Sequence, residues 1–213
     1  MVNFIAFDPE EDRELLEASY NALRNRDSLD LITEGREFDS LLAKARGALT
    51  VPDDSAISFQ NLFRISAANG QFYIAQCLIN TGFSMKGRYF SEHKYRFQLL
   101  GIAELKVELG NTLLRKETRA DKFLGPFLGN DIDFPGVDEF NDKYYLVSDK
   151  KEAVLKFFNR RFLQAIANHD EIVLTIRERD LFITFENDFK EHHSRSIEDI
   201  LSNCGFLNDA ERA

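Results

Sequence analysis

The stretch from Asp131 to Glu186 constrains the fold most strongly, because it is rich in phenylalanine and its hydrophobic period changes along it. Tyr144 to Val147 is short, aromatic and β-branched, as strands favour. Asp149 and Glu152 then have the spacing of a capping box at a helix start. The residues that follow place apolar side chains one helical turn apart, at Val154, Phe158, Phe162 and Ile166. The stretch therefore predicts a strand and then one helix from about Asp149 to Asn168, with its aromatic stripe facing a core.

A hairpin closes this stretch. Residues 172–177 and 181–185 alternate with a period of two, which is typical of strands with one buried face. Residues 178–180 between them are typical of a turn. One apolar face of the hairpin must be covered, and the phenylalanine-rich helix is the nearest cover.

Further strands are predicted upstream of this stretch. Asn69-Gly70 is a strong hairpin signal between apolar segments 59–67 and 72–78, because both residues accept positive φ. Residues 95–105 and Leu113-Leu114 continue the β pattern. A short helix near the C-terminus carries Ile197, Ile200 and Leu201, and Ser194 or Ser196 is its predicted cap. Together these signals predict an α+β fold, with an antiparallel sheet of about five to seven strands packed by the phenylalanine-rich helix.

The N-terminal part reads as two appended amphipathic helices. Asp8-Pro9 is a strong start for the first, which runs to about Arg26, and the second spans Arg36 to Arg46. Residues 50–55 contain Pro52 and two acids, which are typical of a linker. The predicted organisation is therefore helices in residues 1–51 and an α+β domain in residues 52–213. The helices can pack on the body, on each other or on a partner.

Composition excludes several functional classes. The chain has 213 residues and a formal net charge of −9, which disfavours nucleic acids and anionic membrane surfaces as partners. No window of about 20 residues is free of charge, so no transmembrane segment is predicted. Cys77 and Cys204 match no metal spacing and indicate reduced, half-buried thiols, which predicts a cytoplasmic protein.

A pattern in the second half of the chain resembles a known family. It consists of Arg115 and Glu117, then Asp131 to Phe134, and then Phe140, Tyr144 and Leu146 before the helix that starts at Asp149. With these residues, positions 59–206 resemble the soluble domain of an uncharacterised bacterial family, a domain of unknown function. The resemblance implies relatives that are often anchored in the membrane by N-terminal hydrophobic helices, and it implies no activity. This chain differs in having Lys116 where relatives have proline, and charged amphipathic helices at its N-terminus.

Four residues of this pattern form the candidate binding site. Arg115, Glu117, Asp131 and Asp133 are expected to make one polar network at the edge of the sheet. One interpretation is a ligand or partner site that uses the planar fork of the arginine. The other is an ion pair that ties the loop to the strand.

No metal site, cofactor or catalytic residue is predicted. Residues 130–138 form a loop rich in carboxylates and amides, but the spacing of an EF-hand and its closing glutamate are missing. The adjacent His192 and His193 lack the spacing of a zinc-binding helix and are expected to be solvated loop residues. The motifs of a P-loop, a nucleophile elbow and a dinucleotide-binding turn do not occur.

The sequence favours a non-catalytic soluble domain for protein interaction or self-assembly. A homo-oligomer is one form of this hypothesis, with the N-terminal helices as the contact. The alternative is a hydrolase or metal-dependent enzyme that uses the acidic loop around Asp131 and Asp133.

Overall fold

The computed structural model of the protein describes most of the predicted α+β part. The described residues are 29–48, 56–68, 70–80, 83–84, 91–92, 95–118, 131–186, 190 and 192–205, with residues 14, 17, 18 and 21 of the N-terminal segment. The predicted linker at residues 50–55 lies outside them. Among the described residues, no helix is both long enough and apolar enough to cross a membrane.

The described elements follow one another in this order. The strands are β1 (Leu29–Ile32), β2 (Ala56–Ala67), β3 (Gly70–Asn80), β4 (Phe83–Ser84), β5 (Ser91–Glu92), β6 (Tyr95–Glu104), β7 (Asn111–Lys116), β8 (Tyr144–Ser148), β9 (Ile172–Arg177) and β10 (Asp180–Phe185). The helices are α1 (Arg36–Ala48), α2 (Asp138–Asn141), α3 (Lys151–Phe157), α4 (Arg160–Ala167) and α5 (His193–Asn203).

Eight of these strands form one antiparallel sheet in the order β1-β2-β3-β6-β10-β9-β7-β8. The α+β prediction is confirmed. The expected number of strands was too low, because β1 pairs with β2 and joins the sheet as its first edge strand. Four residues, LDLI, give too short an alternation to be recognised as a strand in the sequence.

The predicted hairpin between β2 and β3 is confirmed, with its turn one residue earlier than expected. Ala67 pairs with Gly70, so residues 68 and 69 connect the strands. Gly70 has φ of 139°, in the region that favours glycine. Asn69 itself lies outside the described residues.

The larger core lies on one face of the sheet, beneath α2 to α5. Helix α5 approaches this face closely at Gly101 of β6. A Cβ atom at Gly101 would lie 2.5 Å from Cγ2 of Ile197, so only glycine leaves room for the helix. The buried side chains of Ile197, Ile200 and Leu201 confirm the apolar face predicted for this helix.

The phenylalanine-rich helix is two helices rather than one. Phe158 has an extended ψ of 99°, which ends α3, and the side chain of Asn159 then accepts from the backbone N–H of Phe162 to cap α4. The predicted cap at Asp149 is also wrong, because its carboxylate binds the backbone and side-chain N–H groups of Asn111, each at 2.8 Å. Phe158 and Phe162 are buried, as predicted.

A smaller core lies on the opposite face, beneath α1. Leu41, Ala45 and Ala48 of α1 are buried there, which confirms the second predicted N-terminal helix and shows that it packs on the sheet. Polar contacts hold both ends of α1. The Tyr73 hydroxyl donates to Glu37 at 2.6 Å, and Lys44 pairs with Asp180 at 2.7 Å.

Candidate functional site

Asp131 lies beside the second edge of the sheet. Its Oδ1 accepts from the backbone N–H groups of Ile132 at 2.9 Å and Leu146 at 3.0 Å. The N–H of Ile132 also donates to the carbonyl of Leu146 at 2.9 Å. Both backbone groups of Leu146 are therefore bound, and Asp131 takes the place of a neighbouring strand on the outer side of β8.

Arg115 lies in β7, which pairs with β8 on the edge opposite Asp131, and its side chain lies over an aromatic ring. Its guanidinium carbon is 5.0 Å from the ring centroid of Tyr145, its cross-strand neighbour, and Nη1 donates to the carbonyl of Lys116 at 3.2 Å. Glu117 comes directly after β7, and its backbone N–H donates to the backbone carbonyl of Lys143. Asp133 is exposed. The four predicted site residues thus lie around β7, β8 and the segment beside them, and their joint role as a ligand site stays a prediction.

The acidic loop contributes to local structure. Asp138 is the first residue of α2, and Asn130 lies outside the described residues. In the part of the chain that the structure describes, no three histidine, cysteine, aspartate or glutamate side chains are grouped to hold a metal ion. The contacts of Asp131 are those of a carboxylate that holds the backbone in place.

Chelation is expected to leave the stability unchanged. An ion held natively at Asp131 and Asp133 would stabilise the fold by about 2.7 kcal/mol at a hundredfold excess over its dissociation constant. Because the carboxylate of Asp131 already binds backbone amides, thermal unfolding with EDTA should match unfolding in millimolar Ca²⁺ or Mg²⁺. A rise in melting temperature with either ion, abolished by Asp131→Asn with Asp133→Asn, would contradict this expectation.

A charged cluster that the sequence did not reveal lies at the opposite end of β7. Lys150 bonds with Glu108, and its Nζ lies 3.9 Å from a carboxylate oxygen of Glu178. The bond from Lys150 lowers the pKa of the Glu108 carboxyl, whereas the hydrogen bond with Glu108 raises the pKa of Glu178. These side chains are largely exposed, so the cluster is a surface link between three loops.

The prediction that His193 is a solvated loop residue is wrong. The ring of His193 is 2% exposed and stacks on Phe185, with 3.7 Å between the ring centroids and 7° between the planes. Its Nδ1 accepts from the backbone N–H of Lys190 at 3.3 Å. Burial lowers the pKa of His193 to about 4, so the ring is neutral at physiological pH. The predicted caps Ser194 and Ser196 are wrong as well, since both are buried inside α5 and His192 precedes the helix.

Neither cysteine forms a disulfide, and both are fully buried rather than half-buried. Burial raises the pKa of the Cys77 thiol well above its ordinary value, and Sγ lies 3.8 Å from the carbonyl oxygen of Ala75. A protonated, enclosed thiol is a poor nucleophile, so Cys77 serves the packing of the smaller core.

One partly exposed surface among the described residues is the side of β9, β7 and β8 that faces away from the larger core. We call it the outer face and define it by Leu113, Arg115, Tyr145, Val147, Thr175 and Arg177. The strand register places Leu113 between Val147 of β8 and Thr175 of β9. Helix α1 packs mainly on β2, β10 and β9 on this side of the sheet, and Leu113 is 38% exposed.

No protein family, curated protein or solved structure matches this chain.

Proposed function

We propose that this protein is a non-catalytic domain that binds another protein, or a second copy of itself, through the outer face. The observation that carries the proposal is the strip formed by apolar Leu113 and Val147 with Thr175 beside them, where Leu113 is 38% exposed. An antiparallel sheet that faces water normally places polar residues at such positions. A strip of this kind is therefore better suited to a protein partner than to solvent.

The residues around the strip support the same reading. Arg115 stacks on Tyr145 at one end, and Arg177 donates to Asn111 at the other end, at 2.8 Å. Tyrosine and arginine are enriched in protein interfaces, because they combine large contact area with hydrogen-bonding groups. The outer face thus has an apolar centre with polar residues at its ends.

The contacts of the acidic loop favour this proposal over the hydrolase alternative. A catalytic carboxylate needs access to substrate or to a metal ion, whereas Oδ1 of Asp131 holds two backbone amides. The two buried cysteines, which form no disulfide, favour the cytoplasm as the setting of the proposed domain. The resemblance to a bacterial domain of unknown function also stays a proposal.

Leu113→Asp is expected to weaken self-association at least tenfold, because a carboxylate in the centre of the strip must be desolvated when the interface forms. Leu155→Asp is the matched control, since Leu155 is 39% exposed on α3, on the other side of the sheet. Sedimentation velocity over a range of concentrations measures the association of each variant and of the unmodified chain.

Equal association of the two variants would show that the outer face is not the interface. A monomer at every concentration of the unmodified chain would remove self-assembly from the proposal. Circular dichroism of both variants confirms that each remains folded.

A further inference from the structure

We propose that α1 is a lid that opens from the sheet while the rest of the fold stays intact, and that its opening exposes Cys77. Opening of this lid concerns the smaller core and is independent of the proposed binding through the outer face. The lid is held by few apolar side chains and by polar contacts with the strands, and Cys77 lies in the core beneath it.

Few apolar side chains attach α1 to the sheet. Of its 13 residues, Leu41, Ala45 and Ala48 are the buried ones, and two of these are alanines. Phe38 and Leu42 are partly buried against the same core. Hydrophobic stabilisation scales with the apolar area removed from water, and an alanine side chain has little such area. A helix attached in this way opens at a lower free energy than the fold as a whole.

The helices on the opposite face of the sheet are attached by larger side chains. Ile197, Ile200 and Leu201 of α5 and Phe162 and Leu163 of α4 are at most 1% exposed. They lie in the larger core, which joins these helices to the sheet. Separation of α4 or α5 would therefore expose more apolar surface than separation of α1. Local opening is thus expected at α1 first.

The polar contacts of α1 position the helix but attach it weakly. Lys44 pairs with Asp180 at 2.7 Å, and Glu37 pairs with Arg64 at 3.4 Å, with all four side chains partly exposed. The Tyr73 hydroxyl also donates to Glu37, at 2.6 Å. Ion pairs in contact with water contribute little to stability, because water screens their charges. These contacts therefore do not prevent α1 from separating.

Cys77 lies in the core that α1 covers. It is 1% exposed in β3 and stands opposite Phe59 of β2 in the strand register. Phe38 of α1 packs edge-on against the ring of Phe59, with 5.5 Å between the centroids. Tyr73, which binds Glu37 of α1, is four residues from Cys77 in the same strand and therefore on the same side of the sheet. Separation of α1 thus uncovers the neighbours of Cys77 and gives a thiol reagent access to it.

Alkylation by iodoacetamide measures the opening of the lid. Mass spectrometry of peptides from the complete chain without substitutions reports Cys77 separately from Cys204. We expect Cys77 to react faster than complete unfolding allows by a factor of about ten or more, where urea unfolding of the same protein gives that limit. The rate should also rise less steeply with urea than the unfolding equilibrium constant does, because a local opening exposes less surface.

Two substitutions separate local opening from complete unfolding. Gly47→Ala is expected to slow the reaction of Cys77 about two- to fivefold, because alanine stabilises a helix relative to glycine. A Cβ atom at this position would meet no described atom of another element within 4 Å, so the change acts on α1 alone. Ile200→Val shifts the equilibrium for complete unfolding about two- to twelvefold, because Ile200 is buried in the larger core. It should leave the reaction of Cys77 unchanged.

Each result supports or overturns the lid. A slower reaction in Gly47→Ala, together with an unchanged rate in Ile200→Val, supports it. If Ile200→Val speeds the reaction by the full factor that its own urea unfolding shows, Cys77 reacts from the unfolded chain and the inference is wrong. An unchanged rate in Gly47→Ala would mean that Cys77 becomes accessible while α1 stays in place, which also overturns it. So does a reaction of the unsubstituted chain that is no faster than complete unfolding allows.

Discussion

Replacing Phe162 with alanine is expected to lower the free energy of unfolding by about 3–5 kcal/mol, the range for a buried phenylalanine. Phe162 is 0% exposed in the larger core. Its ring packs edge-on against Phe158, with 5.0 Å between centroids, and Phe158 stacks on Phe134. The cavity left by the substitution would therefore disturb an aromatic cluster that joins α4 to the segment before α2.

Thermal unfolding measures this effect. In a chain of this size, a loss of 3–5 kcal/mol corresponds to a decrease in melting temperature of about 6–20 °C. Phe157→Ala is the matched control, because Phe157 is only partly buried at the end of α3. Similar decreases for the two variants would contradict the central position of Phe162 in the core.

The alternation and the apolar stripe were sufficient to predict the hairpin of β9 and β10 and its cover by helical residues rich in phenylalanine, although as one helix rather than two. Leu181, Ile183 and Phe185 lie in the larger core, as their period of two predicted. The break between α3 and α4 could not be read from the same pattern, because Phe158 and Phe162 keep the helical spacing across it. Asn159 is the local residue that indicates the start of a second helix, since asparagine is a favoured helix cap.

The roles of polar residues depended on neighbours that are distant in the sequence. Asp131 binds the backbone of Leu146, fifteen positions away, so its function at the edge became visible only with the position of β8. The burial of His193 depends in the same way on Phe185 of a different element. Local spacing argued against a zinc-binding helix at His193, but it could not predict the stacking partner.

The outer face was not predicted at all, although each of its residues is visible in the sequence. Leu113 and Arg115 alternate with Thr112 and Leu114, which identifies a strand with two different sides. Which side is open depends on the sheet order β9-β7-β8 and on where α1 packs. Both are tertiary features that no single segment encodes.

Acidification is expected to destabilise the protein through His193. The ring stacks on Phe185 at the first position of α5 and touches the ring of His192 edge-on, with 4.9 Å between centroids. Burial is the main cause of its low pKa, the positive charges of His192 and Lys190 act in the same direction, and Glu171 opposes them. The folded protein therefore disfavours the protonated ring.

The pH range follows from the two pKa values of this group. An unfolded histidine has a pKa of about 6.5, and folding lowers the pKa of His193 to about 4. Between these values the unfolded chain binds the proton and the folded chain does not. The contribution of the neutral His193 ring to the free energy of unfolding is thus complete above pH 6.5 and is lost as the pH falls toward 4. Its upper limit is about 3 kcal/mol, at 1.36 kcal/mol for each pKa unit.

Urea unfolding at several pH values between 4 and 7 tests this expectation. His193→Asn keeps a hydrogen-bond acceptor near the position of Nδ1 but removes the titrating ring, so its stability should fall less steeply below pH 6.5. His192→Asn leaves the buried ring in place and removes only a neighbouring charge that lowers the pKa of His193, so stability should still fall below pH 6.5, but less than in the unmodified chain. If His193→Asn and the unmodified chain lose stability with the same slope over this range, the protonation of His193 does not limit the stability of α5 in acid.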